Sequence, residues 1–102
     1  MRLSKDKIQI INLLAKKYFS SDVQVYLFGS RTIDTAKGGD IDLFMHSDTE
    51  STLTLKNKAL FLVELKRLIG DQKIDLVFDN EVLRSKINFY QSIKDKSVKI
   101  SD

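Results

Sequence analysis

Cysteine and proline are both absent from the 102-residue sequence, and histidine occurs once, as His46. Without cysteine the chain can form no disulfide, zinc ribbon or iron–sulfur cluster, and it has no thiol nucleophile. A single histidine excludes a multi-histidine metal site. Any metal must therefore be held mainly by oxygen ligands, which favours magnesium, manganese or calcium over zinc or copper.

Long apolar runs are missing as well. The longest uninterrupted run covers residues 59–63, far short of the roughly 20 residues that span a bilayer. The N-terminal segment is charged and has no small-residue cleavage site of the kind that ends a secretory signal. Together with the lack of cysteine, these features predict a cytoplasmic location and no membrane partner.

The composition is typical of a folded domain. Hydrophobic residues make up 42% and charged residues 30% of the chain, whereas a disordered chain has fewer apolar residues and a larger charge imbalance. The length predicts a single domain over residues 1–102. The net charge of +3 suits a polyanionic ligand without requiring one.

Apolar periodicity and turn signals predict helices mixed with strands. Helices are expected over residues 5–19 and 53–69 and from Asp79 or Asn80 onwards, and strands over 23–28, 41–46 and 73–78. Residues 97–100 are either a short last strand or a frayed end. This order predicts an α/β (α+β) fold, with a small mixed sheet whose first two strands pair antiparallel and helices packed mainly on one face.

Helical spacing also predicts which side chains of the second and last helices face the core. The expected apolar positions are Leu55, Ala59, Leu62, Val63 and Leu65 in the second helix, and Val82, Leu83, Ile87, Tyr90 and Ile93 in the last.

Three aspartates stand out by their positions in the expected strands. Asp40 and Asp42 flank Ile41 at the start of the second strand, so their side chains point to the same side of the sheet. Asp75 lies in the middle of the third strand. If these two strands are neighbours, three carboxylates converge on one open face. Two divalent cations would offset their repulsion and would suit phosphoryl or nucleotidyl transfer.

Gly29 and Ser30 end the first strand, directly before a polar connection over residues 30–39. Backbone N–H groups at such a position can form a phosphate-binding nest, and glycine lets the backbone approach a ligand closely. The Ser30 hydroxyl adds a donor, and Arg31 can neutralise a phosphate charge. Taken singly, each feature also fits an ordinary turn or a solvated loop, so it is the combination that is specific.

The combined pattern resembles the nucleotidyltransferase superfamily that includes DNA polymerase β. The matching stretch is LFGSRTIDTAKGGDIDLF at residues 27–44, and KIDLVF at residues 73–78 supplies the third acid. In size the chain is similar to the minimal nucleotidyltransferase (MNT) proteins of HEPN–MNT toxin–antitoxin pairs. It departs from the common pattern at residues 32–34, where many relatives carry a second arginine and a glycine, and at Gly39, where serine is common.

The resemblance implies a polymerase β-like fold, two magnesium ions and ATP as the substrate. The implied catalytic and metal-binding residues are Asp40, Asp42 and Asp75. The implied nucleotide-binding residues are Gly29, Ser30 and Arg31. The implied acceptor is a tyrosine of a partner HEPN toxin, which the chain would silence by adenylylation.

Two other functions remain open at this point. In the first of these, the chain is an antitoxin that neutralises its toxin by binding alone, and the fold serves only as a scaffold. A small nucleic-acid-binding domain is disfavoured, because three carboxylates repel a phosphate backbone unless metals intervene. Since a chain of this length has little room for an acceptor-binding domain, we expect a partner chain to complete the site.

Overall fold

The computed structural model describes residues 3–29 and 40–101, except for the side chain of Asp40. The expected connection over residues 30–39 lies outside this part. The helices are α1 (Lys5–Tyr18), α2 (Leu55–Ile69), α3 (Glu81–Arg84) and α4 (Ile87–Lys96), with a 3-10 turn at Glu50–Thr52 before α2. The strands are β1 (Gln24–Phe28), β2 (Asp40–His46), β3 (Lys73–Phe78) and β4 (Val98–Lys99).

The four strands form a mixed sheet in the order β3-β2-β1-β4. β1 pairs antiparallel with β2, as predicted, and β2 pairs parallel with β3. The short last strand also exists, because β4 pairs antiparallel with the other side of β1. Among the described strands, β3 is therefore an edge strand that has only β2 as its neighbour.

The larger core lies between this sheet and the two long helices. Alternate residues of the strands point into it, and Ile41, Leu43 and Leu76 are buried there. Phe61 and Leu65 of α2 are fully buried in the same cluster. Helices α1 and α2 thus form the main helical layer on one face of the sheet, as the sequence predicts.

A smaller apolar cluster lies on the opposite face. Phe44 of β2 is buried there and packs with Leu83 of α3 and Ile93 of α4. The rings of Tyr26 and Tyr90 have their centroids 5.7 and 6.3 Å from that of Phe44. Helices α3 and α4 therefore form a second, smaller layer.

The single last helix expected from the sequence is in fact two helices. α3 begins after Asn80, whose side-chain oxygen accepts a hydrogen bond from the Leu83 amide at 2.9 Å. It ends after one turn, and α4 starts shortly afterwards. Val82 and Ile87 were expected on the apolar face but are 69% and 73% exposed, because the break turns them away from the cluster that buries Leu83.

The apolar face expected for α2 is wrong in part. Leu65 is fully buried, but Leu55 and Val63 are 80% and 71% exposed, and Ala59 is exposed as well. The buried side follows Phe61 instead. Residues 59–63 are all apolar, so periodicity alone does not single out the side of this helix that meets the core.

The helix ends follow their capping signals. The Ser4 side chain accepts a hydrogen bond from the Lys7 amide at 3.3 Å, and Gly70 ends α2 with φ 101°. The start of α2 is set by Thr54, whose hydroxyl accepts a hydrogen bond from the Asn57 amide at 3.1 Å. The helix therefore begins at Leu55, two residues after the expected start at residue 53. Within the part of the chain that the structure describes, no helix is long and apolar enough to cross a membrane.

Asp79 is a buried carboxylate directly after β3, and it does not cap the helix that follows. Its oxygens lie 2.9 Å from Arg84 Nη1, 2.9 Å from His46 Nδ1 and 3.3 Å from the Tyr90 hydroxyl. Burial opposes the charged form, but the hydrogen bonds from His46, Arg84 and Tyr90 lower the pKa of Asp79. This network joins the end of β3 to β2 and to both short helices.

We expect Asp79→Asn to lower the free energy of unfolding at neutral pH by about 1–3 kcal/mol, because the neutral amide loses the charge-assisted hydrogen bonds. The carboxylate's contribution is complete above the unfolded pKa of about 3.9 and is lost as the pH falls through the lower folded value. Urea unfolding curves of the two proteins should therefore converge in acid.

Asp48→Asn is the matched control for this experiment. The Asp48 carboxylate is 89% exposed and lies 3.4 Å from Nε2 of the same histidine, His46. Its removal should change the free energy of unfolding by less than about 0.5 kcal/mol. An equal effect of both substitutions, or a gap that persists in acid for Asp79→Asn, would contradict the role given to Asp79.

Candidate active site

The parallel pairing of β2 and β3 places Asp42 directly opposite Asp75. Neighbouring strands lie about 4.8 Å apart, so the two side chains leave the sheet from adjacent positions on one face. Their strand neighbours Ile41 and Ile74 are buried on the opposite face. Asp42 is half-buried and Asp75 is exposed. The structure thus brings together two of the three aspartates that the sequence singles out.

Both aspartates line an open cleft of about 420 Å³. Phe28 at the end of β1 and Phe89 of α4 form apolar parts of its wall, and Lys58 of α2 places a cation there. Lys58 and Phe89 carry no sequence signal for a site, because only the packing of the helices brings them to the cleft. Phe89 is 46% exposed.

Gly29 lies beside the Asp42 carboxylate, because Phe28 before it pairs with Asp42 across β1 and β2. Its φ of 77° is in the left-handed region that favours glycine. A Cβ at this position would overlap Oδ2 of Asp42. The absence of a side chain at Gly29 is therefore required for two reasons. It allows the backbone turn, and it leaves the space that Asp42 occupies.

The other predicted site residues lie outside the described part of the structure. These are Ser30, Arg31 and the side chain of Asp40, whose backbone opens β2 opposite Lys73. Among the side chains that are described, no group of three or more aspartate, glutamate, histidine or cysteine residues could hold a metal ion. The described part of the site thus contributes two carboxylates. Their oxygens fit magnesium, which takes one or two carboxylates together with substrate phosphates.

Comparison with known families identifies this arrangement. Residues 8–101 match the model of the nucleotidyltransferase domain. The chain belongs to the nucleotidyltransferase domain family. The match covers the described strands and the Asp42–Asp75 cleft, and it supports nucleotidyl transfer as the general activity. The superfamily inferred from residues 27–44 and 73–78 is thereby confirmed. No curated protein matches the sequence.

Gly29→Ala should disturb the site of this nucleotidyltransferase domain as well as its backbone. Gly70→Ala is the matched control, because Gly70 also has a positive φ, 101°, but nothing lies within 4 Å of the added Cβ. Alanine at either of these positive φ values should destabilise the protein by about 1–3 kcal/mol. Only Gly29→Ala should also shift the carboxyl carbon resonance of Asp42 in NMR spectra. An unshifted Asp42 signal would show that the two residues are not in contact.

Asp75→Asn tests whether Asp75 is a metal ligand or an aspartate that stabilises the fold. In EDTA the variant should melt at the same temperature as the wild type or higher, because it relieves repulsion with Asp42. Magnesium with a non-hydrolysable nucleotide should then stabilise the wild type more than the variant. The exposed Asp71, just before β3, provides the control Asp71→Asn. A lower melting temperature of Asp75→Asn in EDTA, with undiminished stabilisation by ligand, would identify a structural aspartate.

Proposed function

We propose that the chain is a magnesium-dependent nucleotidyltransferase that transfers AMP from ATP to an acceptor hydroxyl. The observation that carries this proposal is the placement of Asp42 opposite Asp75 at one open cleft, in a chain of the nucleotidyltransferase domain family. Carboxylates on adjacent strands repel each other unless a cation offsets their charge. Asp42 and Asp75 lie at a cleft rather than in the core, which favours a functional reason why the fold tolerates the repulsion between them.

The proposed metal ligands are Asp42, Asp75 and Asp40. Bound magnesium, as one or two ions, would neutralise triphosphate charge and polarise the phosphoryl oxygens. Carboxylate oxygens are the donors that this cation prefers. His46 is not among the residues that line the Asp42–Asp75 cleft, and its Nδ1 lies 2.9 Å from Oδ2 of Asp79.

Gly29, Ser30 and Arg31 are the proposed phosphate contacts. The Gly29 backbone, which would approach a phosphate without a side chain in the way, lies beside the Asp42 carboxylate, whose Oδ2 occupies the space that a Cβ would fill. The Ser30 hydroxyl and the Arg31 guanidinium would donate hydrogen bonds to the β- and γ-phosphates. Holding the triphosphate by these groups would direct its α-phosphorus toward the cleft.

In the proposed reaction the acceptor oxygen bonds to the α-phosphorus, and the bond from that phosphorus to the α–β bridging oxygen breaks. Pyrophosphate leaves with the electron pair of the broken bond. The proton of the acceptor hydroxyl passes to the Asp75 carboxylate, directly or through water, because Asp75 is exposed to the cleft. The rings of Phe28 and Phe89 would exclude water from part of the reacting centre.

For the acceptor we propose a tyrosine of a partner HEPN toxin, with the chain as a cytoplasmic antitoxin that acts by adenylylation. The resemblance of residues 27–44 to the nucleotidyltransferase superfamily, together with the chain's similarity in size to MNT proteins, supports this assignment. An antitoxin that acted by binding alone would not need the charges of Asp42 and Asp75. Substitution of either acid therefore separates the two functions.

We expect Asp42→Asn to reduce AMP transfer by at least about 100-fold, since the cation supplies several kcal/mol of transition-state stabilisation. The assay incubates the protein with α-labelled ATP, magnesium and the product of a neighbouring gene that encodes a HEPN-type RNase. Asp95→Asn, at an exposed position of α4 where Asp95 pairs with Gln91, should transfer label normally.

Toxin neutralisation in cells decides between the two forms of the antitoxin. Under the proposed function, Asp42→Asn loses neutralisation together with transfer. A variant without detectable transfer that still neutralises the toxin fully would instead establish the antitoxin that acts by binding alone.

A further inference from the structure

A groove runs along the open edge of β3, on the far side from β2. It has a volume of about 220 Å³, and residues 76–78 of β3 form its floor. One wall is α2, with Leu55 and Lys58, and the other is α3 with the turn after it, which contribute Val82 and Lys86. Apart from the lining residues that it shares with the Asp42–Asp75 cleft, this groove lies outside the site described above, and nothing in the proposed reaction uses it.

The groove is continuous with the candidate active site. Lys58, Leu76 and Val77 line both the groove and the cleft that contains Asp42 and Asp75. A chain lying along the β3 edge would therefore pass directly into the cleft.

The backbone of β3 presents hydrogen-bonding groups to this groove. The amide of Asp79, just after β3, donates to the carbonyl oxygen of Met45 in β2 at 2.8 Å. Because strand backbone groups alternate in direction, the N–H and C=O groups of Ile74, Leu76 and Phe78 point the opposite way, toward the edge. In the described turns, caps and loops, no backbone hydrogen bond involves these three residues. The edge is thus a template for one more strand.

Exposed apolar side chains border this template. Leu55 is 80% exposed and Val82 is 69% exposed on opposite walls of the groove, and Phe89 is 46% exposed where the edge reaches the cleft. An added strand places alternate side chains over its two flanks. Apolar side chains of such a strand would cover Leu55 and Val82.

The charge of the groove narrows the choice of occupant. Lys58 and Lys86 line it from opposite walls, and no carboxylate is among the lining residues that the structure describes. A segment that combines apolar residues with aspartate or glutamate complements this lining. A nucleic acid would gain from the lysines but would leave the edge amides and the apolar walls without suitable partners.

We propose that the β3 edge binds an extended apolar and acidic segment of the acceptor protein as an additional strand, which places the acceptor tyrosine in the Asp42–Asp75 cleft. This inference rests on the proposed nucleotidyl transfer. It adds the route by which the acceptor reaches the site, with main-chain hydrogen bonds giving affinity and the two walls giving specificity.

The first test is a display library of short peptides with a fixed central tyrosine and random residues elsewhere, selected on the intact chain. Selected peptides should alternate apolar with acidic residues. A selected peptide should protect the amides of Ile74, Leu76 and Phe78 from hydrogen exchange, because these amides become bonded to the added strand. A library without binders, or protection confined to other amides, overturns the proposal.

The second test compares two identical substitutions at equally exposed valines. Val82→Glu adds a negative charge to the groove and should raise the Kd of a selected peptide by about tenfold or more. Val63→Glu makes the same change on α2, at a residue that is 71% exposed and does not line the groove, and it should leave the Kd nearly unchanged. Equal effects of the two substitutions overturn the proposal.

Binding of a magnesium–ATP analogue and transfer of AMP distinguish a failure of docking from a failure of the proposed chemistry. Val82→Glu should bind the analogue as the wild type does, because Val82 lies outside the cleft. If AMP transfer occurs but neither peptide selection nor Val82→Glu involves the edge, the docking site is wrong and the enzyme stands. If peptides dock at the edge but receive no AMP, the proposed chemistry is wrong and the docking site stands.

Discussion

The parallel pairing of β2 with β3 determines both the core and the candidate site of this protein. In register, this pairing sets Ile41 beside Ile74 and Asp42 beside Asp75. The isoleucines are buried under α1 and α2, and burial of such a side chain contributes about 1.5–3 kcal/mol. A shift of one residue would expose them and bury the aspartates. The apolar face of the sheet therefore fixes the position of the acidic face.

Two aspartates of the β3 region show how differently the fold treats a carboxylate. Asp79 is buried, and three side chains stabilise its charge. Asp75, four residues earlier, is exposed in a cleft and makes no hydrogen bond or ion pair with any other described side chain. The first stabilises the junction of β3 with the second helical layer. The second is left available to a ligand, which is the arrangement expected where a site gives up stability for function.

The strands, and the face of the sheet on which Asp42 and Asp75 lie, were predictable from the sequence. The strand period of two is strict, and each of these two aspartates lies between apolar residues. The turn at Gly29 was predictable for a similar reason, since a glycine directly after a strand indicates a change of backbone direction. These are local properties. They place Asp42 and Asp75 on one face before the order of the strands is known.

The features that the sequence did not predict depend on contacts between distant parts of the chain. The exposed side of α2 was mispredicted because residues 59–63 are apolar on every side, and only packing against the sheet selects Phe61. The division of the last helix into α3 and α4, the burial of Asp79 and the approach of Lys58 and Phe89 to the cleft all follow from tertiary packing. The docking groove has the same origin, since an edge strand is defined by the neighbour it lacks.

A titration of the protein with Mn²⁺, a paramagnetic substitute for magnesium, followed by amide NMR, tests most directly whether the Asp42–Asp75 cleft binds a divalent cation. If the Asp42–Asp75 cleft binds the cation, substoichiometric Mn²⁺ broadens the signals of Asp42, Asp75 and Gly29 first. It spares those of His46 and Asp79, because the Asp79 carboxylate is already paired with His46 and Arg84. Preferential broadening around Asp79, or no selective broadening at all, would contradict the claim that the Asp42–Asp75 cleft is a divalent-cation site.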